Sequence, residues 1–236
     1  MPAAGTTTLI MATNIIATST ERLARLLQLV SPALPVGAYS YSGGLESAVE
    51  AGIVNSAASA ERWIGAVLEH SVACMEAPVL LRLYAAWHQG DSAAAARWNE
   101  RLLASRETAE LRAETVQMGY SLAKLLADLG LGEIALEEIA YPTAFSFAAE
   151  RWEIDPQVAL EGYLWAWLEN QVMAAVKSVP LGQTDAQRIL LSLGEKLPGI
   201  RERAGSLSDA ELVKFAPGLA LLSARHETQY SRLFRS

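Results

Sequence analysis

The chain has 236 residues, 51% of them hydrophobic and 19% charged, with a formal charge of −7. That length suffices for one sizeable core, and the composition is too apolar for a disordered segment. The acidic balance opposes nonspecific attraction to nucleic acid or an anionic membrane, both of which need clustered Lys and Arg, and a lone cysteine, Cys74, excludes an intramolecular disulfide and fits a reducing, cytoplasmic setting.

Residues 1–17 contain Thr6-Thr7-Thr8 and an apolar run, Leu9 to Ala17, that no Lys or Arg precedes. They are expected to form a flexible leader without an export signal, and Met11 is an alternative start. Thr18 and Glu21 have capping-box spacing, and Leu23, Leu26, Leu27 and Val30 follow at i, i+3, i+4, i+7, which predicts the first helix. It stops at Ser31-Pro32-Ala33-Leu34-Pro35-Val36-Gly37, where two prolines bar continuation and Gly37 admits backbone angles other residues avoid.

Further helices are expected at about 40–51, ending at Gly52, and at 56–75, with Pro78 a new start or kink before the period of Val79, Leu80, Leu83, Tyr84 and Trp87 runs on to Gly90. Asp91 then caps a helical stretch that breaks near 103–107 and reaches Leu129. Helices at 142–151 and, from the Asp155-Pro156 start, to about Ser178 come next. After the turn at Val179-Pro180-Leu181-Gly182-Gln183 the pattern predicts helices at about 184–196, 208–215 and 217–229. The apolar stretch from Val158 to Val179 is interrupted by Glu161, Glu169, Asn170 and Lys177, so it reads as a buried helix and not as a membrane span. Almost nothing alternates with period two, so the expected fold is all-α: one globular, bundle-like multi-helix domain over 18–224, with a tail over 225–236.

No phosphate-cradling G-x-x-x-x-G-K-[ST], no G-x-S-x-G elbow and no H-E-x-x-H occurs, which removes the commonest nucleotide-hydrolysing and hydrolase chemistries. His70 and Cys74, four apart on a predicted helix, have a spacing two soft-metal ligands such as nickel would accept, with Glu69 and Glu76 nearby. The plainer reading makes them core or interface residues. Arg106, Glu107, Glu110, Arg112 and Glu114 alternate in sign at helical spacing, which suits either a recognition surface or intrahelical pairing. Lys177 ends an apolar helix just before a proline turn, where it either caps carbonyls or meets a partner. The tail, Arg225 to Ser236, alternates cations with large aromatic or aliphatic side chains, the residue types that anchor interfaces.

The block from Ser31 to Glu46, with Ala38-Tyr39-Ser40-Tyr41-Ser42-Gly43-Gly44-Leu45 inside it, closely resembles the signature near the start of UreF urease accessory proteins. Ser105 to Thr108 with Gln117-Met118-Gly119, Ala175 to Gln183, and the tail are similar to that family too. The resemblance runs from about residue 20 to the end; Ala38, where Gly is common, is a mild departure. It implies a noncatalytic all-α homodimer that binds the accessory protein UreD (also called UreH) and the GTPase UreG on apo-urease. Nickel and GTP are then handled by the partners, with no cofactor of its own. Two alternatives stay open from the residues alone: a helical-bundle enzyme and a direct nickel carrier, each using His70 and Cys74. Carried onto this chain, the resemblance makes Ser31, Pro32, Pro35, Gly37, Tyr39, Ser42 and Glu46, with Lys177, Pro180 and Gln183, candidates for the UreG-facing surface. Arg225, His226, Glu227, Tyr230, Arg232, Phe234 and Arg235 become candidates for the UreD-facing side.

Overall fold

The computed structural model describes residues 19–236, so the predicted leader and the Thr18 half of the first capping box lie outside it. Among the described residues there is no strand. The first described helix, α1, covers 19–29 and buries Leu29, while Leu26 and Val30 press on a neighbouring helix and Leu23 and Leu27 stay exposed. The buried stripe therefore sits a step round from the predicted one. After a 3-10 turn at Ala38–Ser40 comes the short α2, Leu45–Glu50.

Helix α3 spans Ala57–His88, 32 residues, and starts at a capping box in which the Ser56 and Ser59 side chains each accept from the other's end of the turn. It is long and apolar enough to cross a membrane, yet 78% of its most apolar window is buried inside the protein. Its middle, Leu68–Glu76, is π-helical. The wider register ends just before Pro78, which has no N–H to donate and whose ring would crowd the Cys74 carbonyl in a regular α-helix. The helix absorbs the proline there and continues without a break.

Asp91 caps α4, Ser92–Ala104, its Oδ1 accepting from Ala94 N at 2.8 Å, and Thr108 caps α5, Ala109–Asp128. The expected break thus falls at 105–108. Then follow α6, Tyr141–Arg151, and α7, Pro156–Ser178, where Asp155 accepts from Gln157 N and Val158 N. Helices α8, Gln183–Gly194, α9, Leu197–Ser206, and α10, Pro217–His226, complete the order. Two sequence expectations need correction here. The helix at 208–215 is only a 3-10 turn, Asp209–Glu211, followed by extended chain in which Phe215 N donates to His70 O at 3.1 Å. Helix α9 was not anticipated, because Pro198, Gly199 and Gly205 mask the stripe of Leu197, Ile200 and Ala204 that it buries.

Helix α7 runs through the centre, with Leu160, Leu164, Leu168 and Val172 completely buried. Each such side chain contributes about 1.5–3 kcal/mol relative to exposure. Helices α8 and α9 pack on one side of it, α2 bridges it to α10, and α6 lies between α5 and the second half of α3. Two glycines set the closest approaches. A Cβ at Gly162 would meet Leu26 Cδ1 at 2.7 Å, where α1 crosses α7, and one at Gly119 would lie 2.0 Å from Ile139 O, where the 129–140 connection crosses α5.

Candidate partner-docking site

The proline-bearing loop after α1 folds by local means. The Ser31 hydroxyl accepts from Ala33 N at 3.2 Å, and Gly37 and Gly44 adopt φ of 77° and 80°, a region that strains a residue with a Cβ. That path leaves Pro32, Pro35 and Tyr39 on the surface and turns Tyr41, Ser42 and Glu46 inward.

The inward residues receive the tail. Glu46 Oε1 accepts from Leu233 N at 2.6 Å, and Oε2 accepts from Phe234 N at 2.9 Å and lies 3.1 Å from His226 Nε2. The other ring nitrogen of His226 faces Glu110 at 2.6 Å, and Glu110 also takes Arg232 at 2.7 Å. His226 is fully buried, with each ring nitrogen within hydrogen-bond distance of a carboxylate oxygen. Ser42 donates to the main-chain oxygen of Ser236 through its amide at 3.0 Å and its hydroxyl at 2.5 Å, while Arg235 N donates to Ser40 O at 2.8 Å. Glu227 accepts from Ala109 N at 3.0 Å, and the Ser236 hydroxyl donates to Glu114 at 2.6 Å. Burial pushes the Glu114 carboxyl up to about 7, opposed by that hydroxyl and by the charge of Arg106.

Beneath the tail sits a buried ion pair, Arg106 to Glu76 at 2.7 Å, with the Tyr163 hydroxyl donating to the second Glu76 oxygen at 2.5 Å. Burial raises the Glu76 pKa, but Arg106 outweighs it and holds the carboxyl below its ordinary range. Lys214 reaches Glu107 at 2.8 Å, and Arg112 pairs with Glu138. The charged run from Arg106 to Glu114 is thus neither a free recognition surface nor an intrahelical ladder. Its members reach across the fold, and two of them, Glu110 and Glu114, hold the tail.

Lys177 stands exposed at the end of α7 with no carboxylate partner among the described residues. Its ammonium lies 5.9 Å from the Tyr39 ring and 5.6 Å from that of Phe234, so the loop, the α7 end and the tail meet at this side chain. Alongside, between the loop and α7, opens a cavity of about 220 Å³ walled by Leu34, Val36, Met118, Tyr141, Tyr163 and Trp167. Pro180 and Gln183 are exposed in the turn beyond Lys177. Of the sequence candidates, Ser42, Glu46, His226 and Phe234 are buried and occupied within the chain. Pro32, Pro35, Tyr39, Lys177, Arg225, Tyr230, Arg232 and Arg235 remain exposed, with Tyr230 wholly in solvent at 105%. Glu110, Glu114 and Ser236 were missed as members of this site.

His70 is exposed, while Cys74 is buried, donating to Glu69 O at 3.3 Å and lying 3.7 Å from an Arg203 guanidinium nitrogen. Among the described residues no three His, Cys, Asp or Glu side chains converge as metal ligands.

The UreF family model matches residues 54–194. The urease accessory protein UreF of Azoarcus sp. (strain BH72) is 61% identical over 223 residues, covering 91% of this chain and 95% of that protein. That of Dechloromonas aromatica (strain RCB) is 51% identical, covering 91% and 98%, and that of Cupriavidus metallidurans is 48% identical, covering 93% and 100%.

Proposed function

The chain belongs to the UreF family of urease accessory proteins, and from that premise we propose that it is a noncatalytic platform on which UreD and the GTPase UreG assemble with apo-urease. In this reading it works in the cytoplasm as a homodimer, binds no cofactor of its own, and leaves nickel and GTP to its partners.

The observation that supports this best is the meeting of three distant segments, the 31–46 loop, the Lys177 end of α7 and the 225–236 tail, around one exposed cation and one cavity. A surface fastened by buried carboxylates presents its contacts already ordered, which lowers the entropy lost on binding. The UreG contact is assigned to Tyr39 and Lys177, the UreD contact to the solvent-facing side of the tail, above all Tyr230 and Leu233.

Reconstituted activation of apo-urease with nickel, UreD and UreG tests the proposal. Lys177→Ala should lower activation and UreG retention without changing the unfolding midpoint, and Tyr230→Ala should weaken UreD binding alone. Unchanged activation when this chain is omitted would sink the reading. GTP turnover by UreG in the assembled complex, with and without the chain, separates acceleration from mere positioning. The nickel-carrier alternative has less support, since His70 is exposed while Cys74 is buried and engaged with Glu69 O.

A further inference from the structure

We infer that the cavity beside Lys177 is an anchor pocket that takes one aromatic or branched aliphatic side chain of the docking GTPase, with a carboxylate of that partner next to it. The inference rests on the docking reading above and deepens it.

Size selects the class of occupant. Pockets for drug-sized ligands and cofactors occupy roughly 300–1,000 Å³, whereas a cavity of about 150 Å³ already admits benzene. About 220 Å³ therefore suits a single large side chain. The walls agree, being mostly aliphatic and aromatic, from Leu34 and Val36 on the loop to Tyr163 and Trp167 on α7. Tyr141 also lines the cavity, and its hydroxyl has no hydrogen-bond partner among the described residues; burial alone raises its pKa. It is a free donor inside an apolar site.

Charge sets the orientation. Lys177 and Glu169 both line the cavity, eight residues apart on one helix, which is about 12 Å at 1.5 Å per residue. The two ends are thus of opposite character. An acidic group beside the inserted side chain is attracted at the Lys177 end and repelled at the Glu169 end, so the partner enters in one direction. The rim is shared with the loop and with the cation over Phe234, so a side chain seated here lies in the same interface as the contacts already assigned. That continuity favours a protein anchor over a free metabolite.

The test measures UreG binding to the full chain, as its complex with UreD, by calorimetry. Two variants fill the cavity. Ala166→Leu does so from the α7 wall, and Met173→Trp from the exposed rim, where no core packing is at risk. Each should weaken UreG binding at least tenfold and leave UreD binding unchanged. The probe 3-phenylpropionate should compete with UreG at millimolar concentration and shift tryptophan fluorescence. Its neutral amide should compete at least fivefold more weakly, and in Lys177→Gln that difference should vanish. Binding by Met173→Trp within twofold of the parent, or equal competition by acid and amide, would overturn the inference. So would a change in the oligomeric size of either variant alone, which would assign the cavity to contact between copies. If the parent chain failed to bind UreG while the probes still discriminated, the platform reading would fall, and the cavity would be a site for small carboxylates.

Discussion

Glu46→Ala removes the acceptor that fastens the tail. In the parent its two oxygens take the amides of Leu233 and Phe234 at 2.6 and 2.9 Å and face His226 at 3.1 Å. Hydrogen bonds to a charged group contribute about 1.5–3 kcal/mol each, giving about 4–9 kcal/mol for three if nothing replaced them. Water can reach the part-exposed Leu233 amide, and His226 keeps its bond to Glu110. A loss of about 3–5 kcal/mol from the docked tail is therefore expected, a shift of roughly a hundred- to a few-thousandfold in the docked-to-open ratio at 1.4 kcal/mol per tenfold. Glu46→Gln keeps one acceptor oxygen and should lose about half of that. Amide hydrogen exchange reads the effect directly: Leu233, Phe234 and Ser42 should exchange faster by those factors, while amides in α7 keep their protection. Parent-like exchange at Leu233 and Phe234 in Glu46→Ala would refute the argument.

Gly119→Ala places a Cβ against the Ile139 carbonyl and should cost more than about 3 kcal/mol, measured as a lower urea midpoint or loss of soluble protein. Arg106→Met leaves Glu76 buried without its ion, an expected loss of about 3–5 kcal/mol that Glu76→Gln combined with Arg106→Met should largely recover in urea unfolding. Glu114 should make stability depend on pH. Its folded carboxyl at about 7 lies above its ordinary 4.5, so between those values the folded state holds the extra proton. Stability from this group is then greatest below about pH 4.5 and falls as pH rises to about 7, by at most about 3 kcal/mol and by less given its partial exposure. Urea unfolding at pH 5.5 and 8 should show that decline in the parent and a flatter profile in Glu114→Gln.

The helical class was legible because helix starts carry signals that act locally: Asp91, and Asp155 with Pro156, each cap the helix they were expected to open. Helix α9 escaped because its burial pattern competes with two glycines and a proline that locally favour a turn, and tertiary packing of Leu197, Ile200 and Ala204 decides the matter. The three segments that meet at Lys177 were also legible as segments, from prolines, a cation before a proline turn and an aromatic-cationic tail. Their meeting was not. Glu110 and Glu114 read as ordinary partners for neighbouring arginines on a helix, and nothing local indicates that their partners lie 116 and 122 residues away. Unlike capping, that pairing depends on the closed fold.

The bonds that close the tail over the loop join residues 180 to 195 positions apart, from Glu46–His226 to Ser40–Arg235. Contacts of such separation form late in folding, since nearly the whole chain must be ordered before they repay the entropy of closing the loop. They also hold only the tail, so they can open while the core around α7 stays intact. Closure of the tail over the loop is thus a separate kinetic event from collapse of the helical core. A population that looks fully folded by helix content can still contain molecules whose tail has not closed over the loop.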